Sequence, residues 1–123
     1  MGGALGALAR YGADSLFGEV LQLNGTFPWC TLTINVSGSF LLAWILARAQ
    51  AGGPASERLR CFAGIGFCGA FTTFSTMNLE MMTMARSQAF SSAVLYFTAS
   101  FVFGIVAAWG GACLGLEKRK DPL

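Results

Sequence analysis

Three uncharged runs, 30–47, 61–79 and 87–116, constrain what this chain can fold into. Each is close to or beyond the length of about 20 mostly apolar residues that crosses bilayer hydrocarbon. Few residues are left for a solvated surface: 54% of the 123 residues are hydrophobic and 11% are charged, which does not fit an ordinary soluble domain. The pattern predicts an all-α integral membrane protein, one membrane domain over 1–123, seated in the lipid bilayer. Arg10, Asp14 and Glu19 interrupt the apolar start, so composition leaves three or four spans. Helices are expected near 2–20, 30–50, 58–85 and 88–116, with a short solvated tail at 117–123.

Residues 11–29, with Asn24, Gly25 and Pro28, carry turn chemistry for the first connection, and Phe27 and Trp29 suit a membrane interface. QAGGPASE at 50–57 forms the second connection, with Ser56 as a helix start signal, and the third is tight, around Arg86 to Gln88. The amino terminus has no basic region ahead of its apolar start and no evident cleavage site, so it does not read as a signal peptide. With four spans, Arg48, Arg58, Arg60, Lys118, Arg119 and Lys120 share one side and Arg86 lies opposite, which puts both termini in the cytoplasm.

Several chemistries are disfavoured at once. There is no histidine, the commonest general base and metal ligand, so the chain is not expected to be an enzyme. Cys30, Cys61, Cys68 and Cys113 lack C-x-x-C spacing and read as packing residues. A net charge of +2, with the basic residues dispersed, gives no nucleic-acid footprint.

Polar residues inside the apolar runs are the candidates for function. Thr31, Asn35 and Ser39 share one face of the second helix, with Gly38 beside them, and Ser92, Tyr96, Ser100 and Gly104 share a face of the fourth. An amide at bilayer depth needs a partner, and Asn35 serves either to bond another helix or to donate its NH2 group to an anion. Two such stripes facing each other would form a narrow hydrogen-bonding path without fixed charge. Four helices leave little room for a path, so transport calls for a dimer or larger assembly. Gly2 with Gly6, and Gly111 with Gly115, permit close helix approach without naming a partner.

GIGFCGAFTTFST, residues 64–76, adds a break in the third helix: glycines and threonines lower helix propensity within a membrane-length run. Unwound backbone survives in hydrocarbon only where protein, water or an ion satisfies it. Phe67, Phe71 and Phe74 follow helical spacing, either as core or as aromatic edges for a poorly hydrated anion. Met77, Met81 and Met84 share a face too, which is either gap-filling or a soft copper(I) path.

GALGALARY at 3–11, NVSGSFLLA at 35–43 and GFCGAFTTFST at 66–76 resemble, in order and spacing, the signature stretches of the CrcB/Fluc fluoride channels. The resemblance implies four helices per subunit, a dual-topology antiparallel dimer with a second copy of the chain, and fluoride export from the cytoplasm of a bacterial cell across its inner membrane. By motif position it implies a fluoride pathway through Asn35, Phe74, Ser75, Thr76, Met77, Tyr96 and Ser100, with Glu80 as the acidic vestibule residue. It also implies a structural sodium ion held by backbone carbonyls of Gly69 and Thr72, and matches Arg10 to an arginine at the end of the first helix. Two positions depart from the family pattern: Met77 stands where a second box phenylalanine is expected, and Gly104 where a hydroxyl is common.

Three alternatives stay beside this expectation. The uneven basic residues allow one half of a heterodimeric channel. A small proton-coupled multidrug exporter would need a membrane carboxylate, for which Asp14 and Glu19 are the nearest residues. A non-transporting scaffold would use the small-residue packing and leave the polar stripes without a role.

Overall fold

The computed structural model describes residues 1–21, 27–50 and 52–120, all helix and connecting turns, with no strand among them. The elements are α1 (Gly2–Leu21), α2 (Trp29–Ala49), α3 (Pro54–Leu59), a π-helical stretch (Arg60–Cys68), α4 (Gly69–Phe71), α5 (Phe74–Arg86) and α6 (Phe90–Lys120). The Asn24–Gly25 turn and the last residues of the expected tail, 121–123, lie outside the described residues.

Among the described residues four helical segments form, with limits that differ from those expected. α1 runs through Arg10 and Asp14 to Leu21, because charges interrupt hydropathy without costing a helix its backbone bonds. The third segment starts at Pro54 rather than near 58, with Gly53 (φ 94°) before it and proline pre-set for the first turn. Ser56 falls inside this turn and does not start it. The expected tail is helical through Lys120. α5 ends where Gln88, at φ 62°, lets the Ala89 amide donate to the Met84 carbonyl at 2.9 Å.

α2 and α6 form the most extensive pair, α1 lies along the π-helical stretch and α4, and α5 packs on α6. Both glycine pairs serve these contacts within the chain. A Cβ on Gly2 or Gly6 would strike the carbonyls of Phe62 or Phe67, and one on Gly111 or Gly115 would strike backbone at Phe40 or Trp44. Only glycine lets these backbones approach so closely.

A buried cluster of Leu32, Met77, Met84 and Tyr96 joins α2, α5 and α6, with Phe27 and Met81 packed against it. Phe27 meets the Tyr96 ring edge-on at 5.5 Å. Cys30 and Cys68 are buried, whereas Cys61 and Cys113 are exposed, so packing accounts for only two of the four thiols.

α2 and α6 are each long and apolar enough to cross a membrane. In a soluble protein such helices are core helices, mostly buried. The apolar window of α6 is only 6% buried, and Phe97, Phe101, Ile105 and Trp109 all point outward. An apolar surface of this extent requires lipid or a partner around it.

Candidate functional site

The third segment breaks at Thr72 and Thr73, both extended, between α4 and α5. The side-chain amide of Asn35 closes on this break from α2. Its Nδ2 donates to the Thr73 carbonyl at 3.2 Å, and its Oδ1 accepts from the Thr73 amide at 2.8 Å. One side chain thus satisfies both backbone groups of a non-helical residue, as burial in an apolar interior demands. The second N–H of the Asn35 amide is left over from this pair.

The Thr73 hydroxyl caps α5, accepting from the Thr76 amide at 3.2 Å and donating to the Thr76 hydroxyl at 2.9 Å. The Ser75 hydroxyl lies 3.3 Å from it. Thr73 is the centre of the break and was not singled out from the sequence; its signal is a hydroxyl three residues ahead of the Thr76 amide, the spacing of an N-cap. The carbonyls of Gly69 and Thr72 are changed by the same bonds. In an unbroken helix they would accept from the amides of Thr73 and Thr76, which here go to Asn35 and to the Thr73 hydroxyl.

A cleft of about 210 Å³ opens at the break, lined by Asn35, Ser39, Thr72, Thr73, Phe74 and Met77 among others. Gly38 admits the Thr72 side chain against α2, at a place where a Cβ would collide with its methyl group. Phe74 is 73% exposed, and Met77 is 8% exposed and packed into the core cluster. Phe67 and Phe71 stack at 5.7 Å, but Phe74 lies past the break and does not extend their stripe.

One turn along α2 from Asn35, Thr31 donates to Glu80 Oε1 at 2.7 Å, and Tyr96 donates from α6 to Glu80 Oε2 at 2.8 Å. The α2 and α6 stripes therefore converge on one carboxylate of α5. Ser39 donates to its own helix at the Asn35 carbonyl, 2.8 Å away, and Gly104 faces it across the α2–α6 contact. Ser100, one turn from Tyr96, has an enclosed hydroxyl with no protein partner. Thr31 belongs with the site residues; its place in the Asn35 ladder was the available signal.

The features of the alternative readings lie elsewhere. Met77 and Met84 are buried among apolar side chains, and Asp14 stands at the α1–α2 contact, accepting from the Cys30 thiol at 3.3 Å. Among the described residues no group of three or more histidine, cysteine, aspartate or glutamate side chains could hold a metal ion.

Outward apolar helices, an interrupted helix and hydroxyl and amide groups gathered at the interruption define a small helical membrane protein with an uncharged polar site. The family model described as CrcB-like protein, Camphor Resistance (CrcB), matches residues 1–112, and the chain belongs to that family. A relative from Acidobacterium capsulatum, named fluoride-specific ion channel FluC, is 42% identical over 94% of this chain and 90% of its own length. Relatives bearing the same name from Methanopyrus kandleri (42% identical, 90% of this chain, 81% of its own) and Thermus thermophilus (38%, 94% and 90%) are similar to it as well.

Proposed function

We propose that this protein is a passive fluoride-selective channel, not an enzyme, which lets toxic fluoride leave the cytoplasm. The observation that carries this is membership of a family whose relatives, about two-fifths identical over nine-tenths of the chain, are named fluoride-specific ion channels. Neither a multidrug exporter nor a copper path has a comparable relation in its favour.

The geometry supports a mechanism without a fixed cation. Fluoride sheds water and takes donors in exchange: the spare Asn35 N–H, the hydroxyls of Ser75, Thr76 and Ser100, and the positive ring edge of exposed Phe74. Neutral donors release the ion as well as bind it, which a lysine would not do. Glu80, its two oxygens held by Thr31 and Tyr96, stands beyond them. Met77 fills the volume of the second box position without an aromatic edge, and Tyr96 is assigned to the path by the family resemblance, its ring buried in the core cluster.

One chain is too small to enclose a path, and Phe74 stands open to a neighbour. The family resemblance extends this to an antiparallel, dual-topology homodimer of four-span subunits in a bacterial inner membrane. The carbonyls of Gly69 and Thr72, whose helical donors are spent elsewhere, would suit a structural sodium ion, which would satisfy these backbone oxygens.

Asn35→Asp tests the path. A carboxylate in an anion pathway repels the permeating ion, so fluoride efflux from liposomes should fall at least about tenfold. Unchanged flux in a folded variant would remove Asn35 from the pathway.

A further inference from the structure

Asn35 is a natural anion donor, yet most of its hydrogen-bonding capacity is directed at the backbone of another helix. Both bonds go to Thr73, at 2.8 and 3.2 Å. Thr73 is buried, and Asn35 takes both its amide and its carbonyl. In a continuous helix that amide would bond the Gly69 carbonyl, four residues back; here Thr72 is extended and Asn35 Oδ1 takes it instead. The Thr73 hydroxyl does the same one turn on: by taking the Thr76 amide at 3.2 Å it withdraws the donor that would otherwise serve the Thr72 carbonyl.

We infer that Asn35 and Thr73 are positioning residues for the cation site: each removes one helical donor, and together they keep the carbonyls of Gly69 and Thr72 open to sodium. Asn35 thereby ties the anion path to the cation site, since one side chain faces the first with its spare N–H and holds open the second with its oxygen. The inference rests on the sodium part of the proposed function and does not depend on fluoride being the permeant ion. It accounts for two threonines in succession at the break: Thr72 contributes its backbone oxygen, and Thr73 its amide and hydroxyl.

The test is the sodium dependence of the unfolding temperature of purified protein in detergent, titrated with sodium chloride against N-methylglucamine chloride at constant ionic strength. The wild-type protein should be stabilised by sodium. Asn35→Ala and Thr73→Val should each need about 10- to 100-fold more sodium for the same rise, the usual effect of losing a group that orients a metal ligand. Asn35→Asp keeps an oxygen for the Thr73 amide but sets its other oxygen against the Thr73 carbonyl, so the sodium test is carried by Asn35→Ala and Thr73→Val.

A wild-type response in Asn35→Ala would overturn the inference and leave sodium binding standing. No response in the wild-type protein would remove the cation itself, and the inference with it. If Asn35→Ala does not fold, Thr73→Val carries the test, and an unchanged response there overturns the proposal.

Discussion

Tyr96 donates its phenolic hydroxyl to Glu80 Oε2 across 2.8 Å, and the tyrosine is fully buried. The bond ties α6 to α5 beside the core cluster, and the other oxygen of the same carboxylate is held by Thr31 of α2. Tyr96→Phe keeps the ring contact with Phe27 and deletes only this donor. A hydrogen bond to a charged group contributes about 1.5–3 kcal/mol, so the variant should lose stability of that order in denaturant unfolding. Thr31→Val acts on the same carboxylate, so the double variant should depart from additivity by about 0.5 kcal/mol or more.

Phe74 and Met77, one helical turn apart, should separate function from stability. Phe74 is 73% exposed in the single chain, and Phe74→Ala should shift subunit stability by no more than about 0.5 kcal/mol. Its fluoride efflux should nevertheless fall, because an aromatic edge is lost from the path. Met77 sits in the core at 8% exposure, so Met77→Phe should destabilise by about 1–3 kcal/mol through overpacking. Unfolding and efflux measured on both variants check the contrast.

The glycine pairs give a packing prediction with an internal control. Gly6→Ala and Gly111→Ala place a methyl group against backbone carbonyls of Phe67 and Phe40, which cannot rotate away. Both should lower the thermal aggregation temperature in detergent. Gly12, on α1, has nothing within 4 Å of the point a methyl group would occupy, and Gly12→Ala should be neutral or stabilising by up to about 1 kcal/mol from helix propensity.

The helical class and the two membrane-length helices, α2 and α6, were legible from hydropathy. The boundaries were less so: α1 continues past Arg10 and Asp14 because a helix is closed by its own backbone, while hydropathy reports only what surrounds it. The break could be located from its glycines and threonines. Its repair by Asn35 could not, because a side chain bonding a peptide group leaves no pattern in the letters of the peptide it bonds. The same limit hid the π-helical stretch, whose backbone bonding gives no periodic signature over nine residues. Thr31, Asn35 and Ser39 were visible as a ladder, but their three partners, Glu80, Thr73 and the helix itself, belong to tertiary structure.

Fluoride selectivity is the central claim, and efflux tests it most directly. Purified protein is placed in liposomes loaded with fluoride in a chloride-free medium, and release is followed with a fluoride electrode beside chloride-loaded controls. Rapid fluoride loss without chloride loss is the predicted result. A folded dimer that releases no fluoride, or releases chloride equally well, would contradict it.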